Sequence, residues 1–253
     1  MSKDNRITIH SEEDFQGMRQ AGKIASEVLI EIEKYVQPNV TTNTLNDLCH
    51  NMIIERGAIP APLNYKGFPK SICTSINHVI CHGIPSDKQL LNGDIINIDV
   101  TVIVNGWHGD TSKTFLVGDN VPIKAKRLVE VTYDAMMYGI DVIKPGVKFN
   151  EIGKAIQAHA TKFNYSIVRD YCGHGIGKIF HCPPNVLHYY DAEFDLIIEE
   201  GMFFTVEPMI NIGKPDALLM NDGWTVVTRD RSLSAQFEHT IGVTSSGYEI
   251  FTK

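Results

Sequence analysis

Two carboxylates sit where the residues around them describe a buried strand. In "GDIINIDVTVIVNGWHGDTSKT", residues 93–114, Asp99 interrupts a run of Ile and Val, and Asp110 follows just past Asn105-Gly106. Asn-Gly is a two-residue hairpin signal, because both residues tolerate positive φ. That turn pairs Val104 with Trp107 and sets Thr101 opposite Asp110. Side chains alternate along a strand, so Asp99 and Asp110 share a face, roughly 5–8 Å apart between Cβ atoms. The second half of the chain supplies two more such acids. Glu207 lies in "FFTVEPMI", where Pro208 predicts an edge or a bulge, and Glu238 lies in "AQFEHTIGV". One acid alone would be read as paired with a base or turned to solvent. Four of them, in strands whose only basic residue is Lys113, point to a convergent set that needs cations, since burying unpaired carboxylates is very costly.

Oxygen donors alone suit calcium or magnesium, and an imidazole moves the preference towards transition metals. The stretch "DYCGHGIGKIFHCPP", residues 170–184, offers His174 and His181. Glycine on both sides of His174 is expected to leave the ring unobstructed and to let the backbone turn sharply. The HExxH, P-loop, GxSxG and Rossmann patterns are all missing, and "GHGIG" lacks the glycine spacing of a nucleotide loop.

The elements that would position these groups come in two similar series. Residues 11–35 carry apolar residues at helical spacing behind a Ser11/Asp14 capping box, and a second helix opens at Thr44 and stops at Gly57. Pro60, Pro62, Gly67 and Pro69 mark a loop. Strands are expected near 71–77, 95–104 and 107–117. Helices then cover about 122–143 and 150–163, and strands fall near 202–212, 224–229 and 235–244. "PNVTTNTL" at 38–45 matches "PGVKFNEI" at 145–152, and "GDIINID" at 93–99 matches "GMFFTVE" at 201–207, which places Asp99 and Glu207 in equivalent positions. The expectation is one domain over 1–253, built of two pseudo-symmetric α/β halves at about 11–120 and 121–250, with the acids facing each other where the halves meet.

Composition excludes several classes. A net charge of −7 argues against a duplex nucleic-acid binder, and no segment reaches the length of a membrane span. The opening "MSKDNRITIH" lacks the apolar core of a secretory leader. The five cysteines are scattered, without a CxxC pair, and read as free thiols of a cytoplasmic protein.

Together these residues resemble the methionine aminopeptidases, specifically the type I form. The family's metal set, in the chain order Asp, Asp, His, Glu, Glu, falls on Asp99, Asp110, His174, Glu207 and Glu238. The strings "CHGIP", "NIDVTV", "WHGDTS", "CGHGIG" and "VEP" match the family's blocks. The resemblance runs from about residue 7 to the C-terminus. It implies the pita-bread fold, an α+β arrangement in which a curved antiparallel sheet is backed by helices around a central two-metal site. The offset of 31 from Glu207 to Glu238 leaves no room for the helical insertion of type II enzymes, and no zinc-finger extension precedes the matching region.

The resemblance also implies roles. Two divalent ions per chain, drawn from Co, Mn, Fe, Zn and Ni, would be held by the five ligands. Glu207 would carry a proton from water to the leaving amine, and His174 would fix geometry on the metal. His82 and His181 would position the substrate and stabilise the tetrahedral intermediate. Tyr65, Phe68, Cys73, His82, Phe180, His181 and Trp224 would bind the first side chain and the scissile amide. Asn77, Val79 and Ser234 resemble a monovalent-cation site for Na or K. The implied partners are N-termini of newly made proteins, with a small second residue, met by a monomer that touches the ribosome transiently. The chain departs from familiar bacterial members at Pro62, where a pocket cysteine often sits. It departs again at Cys182-Pro183, which replaces an acidic pair. Two other readings share the ligand set or the scaffold. Proline-specific relatives usually carry an extra N-terminal domain, and a non-catalytic peptide-binding scaffold would be expected to lose ligands.

Overall fold

The computed structural model describes residues 6–253; residues 1–5, part of the stretch read as lacking a leader, lie outside the described residues. In chain order the elements are α1 (Glu12–Ile32), α2 (Thr42–Glu55), β1 (Ile59–Pro60), β2 (Cys73–Ile76), β3 (Val79–Cys81), β4 (Ile95–Val104) and β5 (Trp107–Leu116). Then follow α3 (Ile123–Asp141), α4 (Asn150–Ala160), β6 (Ser166–Ile167), β7 (Gly173–Gly175), β8 (Cys182–Val186), β9 (Phe203–Val206) and β10 (Met209–Asn211). The chain closes with β11 (Ala217–Leu219), β12 (Val226–Thr228), β13 (Ser234–Gln236), β14 (His239–Val243) and β15 (Tyr248–Ile250). All strand pairs are antiparallel. This is the α+β, helix-backed antiparallel arrangement expected above.

The long elements fall where their periodicity places them, and α1 opens with the Ser11 N–H donating to Asp14 Oδ2 at 2.9 Å. The second helix is corrected at its start. It is capped by Thr41, whose Oγ1 accepts from the Thr44 N–H at 3.1 Å, so Thr44 is inside the helix rather than its cap. Two expected strands are each split at an acid. The 202–212 segment breaks into β9 and β10 at Glu207-Pro208, and the 235–244 segment into β13 and β14 at Phe237-Glu238. Pro208 has no N–H to give a ladder. Glu238 leaves its strand to form a single bridge with Ser112, donating its N–H to the Ser112 carbonyl at 3.0 Å.

Alternation decides what each face meets. In β4, Ile96, Ile98, Val100 and Val102 join a core with Val28, Ile32, Leu45 and Ile53 of α1 and α2. The residues between them, Asn97, Asp99 and Thr101, face the other way. In the second half, Phe204, Val206, Ile241 and Val243 pack with Leu128, Met136, Ile152 and Ile156 of α3 and α4. Thr205 and Glu207 are left on the opposite face. The helices therefore cover one side of the sheets holding β4 and the paired β9 and β14, and the uncovered sides carry the acids. Gly109 lets α1 lie directly on β5, because a Cβ there would overlap the backbone of Ala21 and Gly22. Among the described residues no helix is long and apolar enough to cross a membrane.

Candidate metal centre

The hairpin delivers its two acids as the Asn-Gly turn predicts. β4 and β5 pair without interruption from Ile95↔Leu116 to Val104↔Trp107, with Thr101 opposite Asp110. Asn105 (φ 50°) and Gly106 (φ 84°) supply the positive φ values of the turn. Thr101 Oγ1 donates to Asp110 Oδ1 at 2.7 Å. Asp99, held between Cys73 and Ser112, buries an Oδ1 that has no hydrogen-bond partner. Lys113, the one base in this pair of strands, points away and meets Glu33 at 2.8 Å.

The second half brings the other donors to the same place. Thr205 Oγ1 holds Glu207 Oε1 at 2.7 Å, and Gln236 Nε2 donates to Oε2 at 3.2 Å. His188 Nε2 accepts the Glu207 N–H at 3.1 Å, which anchors the backbone at the strand break. Glu238 is 2% exposed, and its own carbonyl accepts from Thr111 Oγ1 at 2.8 Å. His174 does not sit on a turn. It is the middle residue of β7, and neither flanking glycine has a positive φ. The glycines serve close packing instead, since a Cβ at Gly173 would overlap the Thr205 carbonyl and one at Gly175 the Pro183 carbonyl.

His174 Nε2 lies 3.7 Å from Asp110 Oδ2 and 3.6 Å from Glu207 Oε1. Asp110, His174 and Glu238 each offer a donor atom, all within 4.8 Å of one another. All five candidate ligands line one cavity of about 300 Å³. Burial pushes Asp99 up to about 7 and Glu207 up to about 8. Burial also pushes Asp110 and Glu238 well above the carboxylate range, and the neighbouring negative charges add to it. The same burial lowers His174 to about 4, so its ring is neutral and able to ligate. Three or four oxygens with one neutral imidazole and an orphaned carboxylate oxygen suit divalent transition cations. The residues fit such ions.

Stability should report this. Above about pH 7.5 histidines are almost wholly neutral in both folded and unfolded chains, whereas the raised carboxyls keep protons in the fold that the unfolded chain has released. Folding therefore binds protons, and stability falls as pH rises through that window. Chelator-dialysed protein is expected to lose on the order of 10 °C in Tm from pH 7.5 to 8.5, and added Mn²⁺ to restore it. A pH-independent Tm in scanning calorimetry of the dialysed protein would remove the buried-acid argument.

The remaining expected residues also meet here. Tyr65, Phe68, Cys73, His82, Phe180, His181 and Trp224 all line the cavity. Phe68 stands edge-on to Trp224 at 5.1 Å, and Tyr65 lies 4.8 Å from Phe180. His82 adopts φ 55°, a left-handed conformation uncommon for a residue with a Cβ. His181 is exposed at the rim, its Nδ1 3.0 Å from the Tyr65 hydroxyl and its ring 4.2 Å from that of His174. Pro62 lines the rim, while Cys182-Pro183 does not touch the cavity and opens β8 instead. Asn77 and Ser234 are brought together, the Ser234 N–H donating to the Asn77 carbonyl at 2.8 Å, and Ser234 Oγ is buried without a partner. Val79 stands two residues on, paired with Val227. Sequence reasoning missed Thr205, Gln236 and His188, which hold Glu207. It also missed Lys66, Cys81, Tyr171, Cys172 and Met209 on the cavity wall. Tyr171, Cys172, Cys81, Thr205, Met209 and Gln236 all stand within the quoted strings, beside the residues singled out there; Lys66 and His188 carried no local signal.

Comparison with known proteins agrees with this geometry. The model of metallopeptidase family M24 matches residues 16–245. A methionine aminopeptidase of Rickettsia prowazekii is 67% identical over 97% of this chain and 95% of its own length. That of Escherichia coli K12 is 52% identical over 97% and 94%. The crystal structure of methionine aminopeptidase from Rickettsia prowazekii superposes with a TM-score of 0.96 at 66% identity, covering 98% of this chain and all of that one. The chain belongs to metallopeptidase family M24 and, within it, to the methionine aminopeptidases.

Proposed function

We propose that this protein removes the N-terminal methionine from newly made polypeptides whose second residue is small, by hydrolysis at a dinuclear divalent-metal site. The observation that carries the reading is the convergence of four buried carboxylates and one neutral histidine at the floor of a cavity with an aromatic and thiol wall. Asp99, Asp110, His174, Glu207 and Glu238 would hold two ions of Co, Mn, Fe, Zn or Ni, which supply Lewis-acid polarisation of the scissile carbonyl and a water of lowered pKa. Asn77, Val79 and Ser234 would hold a Na or K ion.

Glu207 takes the proton of the attacking water and passes it to the leaving amine. Thr205 and Gln236 bond one carboxylate oxygen each, so the group is fixed in orientation while the proton moves. Partial desolvation at the cavity mouth, with His174 and Lys66 alongside, lowers the His181 pKa and keeps its ring neutral, and with the Tyr65 hydroxyl on Nδ1 its Nε2–H is free to donate to the developing oxyanion. His82, beside Trp224 and Tyr171, bounds the first side chain of the substrate. The setting is the cytoplasm, with the protein a monomer in transient contact with the ribosome.

Peptide hydrolysis tests the reading. With Mn²⁺ present, Met-Gly-Met-Met is expected to lose its first residue, and Xaa-Pro dipeptides are expected to be cleaved at least 100-fold more slowly, near the upper end of what pocket contacts discriminate. Faster cleavage of Xaa-Pro would move the protein to the proline-specific branch. No cleavage of either would leave a binding scaffold.

A further inference from the structure

Lys66 is the one Lys or Arg among the described residues that line the cavity. Its backbone is unusual as well as its charge. Residues 62–68 form a tight loop in which the Tyr65 N–H donates to the Pro62 carbonyl at 2.9 Å and the Asn64 N–H to the Phe68 carbonyl at 2.7 Å. Within that loop Lys66 has φ 49° and ψ 27°. Glycine or asparagine would occupy that conformation with less strain, and a strained side chain at a cavity mouth points to use.

The ammonium is aimed by its surroundings. Lys66 Nζ lies 5.1 Å from the Tyr65 ring centroid, and the Tyr65 hydroxyl is 3.0 Å from His181 Nδ1. Lys34, Lys113 and Lys154 are each paired with a glutamate. Lys66 makes no ion pair among the described residues and is exposed at the mouth. Lys70, next along the loop, is turned aside to Asn43 Oδ1 at 2.7 Å.

We infer that Lys66 is a specificity-determining residue that recognises an acidic side chain on the third or fourth residue of the polypeptide. The inference rests on the aminopeptidase reading. If the first side chain fills the aromatic pocket and the scissile amide lies at the metal ligands, the second residue passes His181. Each extended residue adds about 3.3–3.6 Å, so the next two cross the rim within reach of a lysine. The four carboxylates on the floor would oppose an acidic peptide, and two divalent cations balance their charge, leaving the wall's lysine as the unbalanced group.

Amidated peptides separate a side-chain carboxylate from a C-terminal one. For each enzyme, kcat/KM is measured on Met-Ala-Asp-Ala-NH2, Met-Ala-Lys-Ala-NH2, Met-Ala-Ser-Ala-NH2, Met-Ala-Ala-Asp-NH2 and Met-Ala-Ala-Lys-NH2. The unmodified protein is expected to favour Asp over Lys by about fivefold at low salt in at least one of the two positions, mainly through KM, as suits an exposed ion pair. Raising NaCl to 0.5 M should shrink that ratio. Lys66→Asn, which tolerates the left-handed backbone, should bring the ratio below twofold. Lys66→Arg should keep it, and Lys66→Glu should invert it. Because the ratio is taken within one preparation, it is insensitive to losses of folding or metal. Equal rates for Asp and Lys at both positions, or a preference that survives Lys66→Asn, would overturn the inference while the serine peptide is still cleaved. Failure on the serine peptide as well would overturn the aminopeptidase reading, and this inference with it.

Discussion

Dialysis against a chelator is expected to abolish hydrolysis and Co²⁺, Mn²⁺ or Fe²⁺ to restore it, whereas Glu207→Gln should stay about 10²–10⁴-fold below the unmodified protein even with saturating metal, the usual contribution of a general acid–base group. On the proposed reading Glu207 would carry two tasks in one side chain. It lies 3.6 Å from His174 Nε2 among the candidate ligands, and Thr205 and Gln236 each hold one of its oxygens. The amide keeps the volume and can still bond Thr205 and Gln236, so circular dichroism and Tm should change little. It is a poorer metal ligand and cannot hold a proton. Metal analysis of the variant then separates the two tasks. A variant with full metal content and lost turnover assigns the proton to Glu207, and one with lost metal assigns ligation alone. Unchanged turnover at saturating Mn²⁺ would move the base elsewhere, and full activity of the dialysed protein would end the metal mechanism.

How much of this could be seen in the letters depends on the range of the contacts involved. The β4–β5 hairpin was legible because its signals are local: an Asn-Gly turn and a period of two on either side place Thr101 opposite Asp110. The helices were legible for the same reason, from apolar spacing alone. The breaks at Glu207 and Glu238 were harder. The alternation of "MFFTVEPMI" continues through its acid, and only Pro208 hinted that the strand ends there. At Glu238 nothing local marks the break, which follows from its bridge to Ser112 in the other half of the chain. The glycines around His174 were read for freedom to turn, when what they provide is closeness to β8 and β9. Absence of a side chain serves either purpose, and sequence does not distinguish them. Gln236 and His188 were invisible because each is an ordinary residue that gains its role from Glu207 across the fold, whereas Thr205, two residues before Glu207, follows from alternation along the strand. The very short strands β1, β3, β6 and β7 carry too few residues for any period to show.

Selectivity for methionine over leucine is expected to reach about two orders of magnitude in kcat/KM, and Trp224→Ala to reduce it more than it reduces metal binding. Tyr65, Phe68, Cys73, His82, Phe180 and Trp224 line the cavity with ring faces and edges and one buried thiol, which on the proposed reading would meet the first side chain. A thioether against such a wall gains roughly 0.3–1.5 kcal/mol per sulfur–aromatic contact. Leucine forfeits those contacts but keeps most of its hydrophobic transfer energy, so apolarity alone does not reject it. Shape does: Phe68 and Trp224, packed edge to face at 5.1 Å, form one continuous wall along which an unbranched chain would lie, and a branch at Cγ would meet it. One misplaced group in an apolar pocket is worth about 1–3 kcal/mol, or 10–200-fold, and several lost sulfur contacts place leucine towards the upper part of that range. Trp224 is the wall residue whose removal tests this most cleanly. Its loop is fixed independently, by Asp222 Oδ1 accepting the N–H groups of Trp224 and Thr225 at 2.9 and 2.8 Å. Truncating the indole therefore widens the pocket without moving its support, and Trp224 contributes no donor to the carboxylate cluster. Rates on Met-Ala-Ser and Leu-Ala-Ser, with metal content measured alongside, give the answer. Equal cleavage of the two peptides by the unmodified protein would mean that the wall is not the methionine pocket, even with the metal site intact.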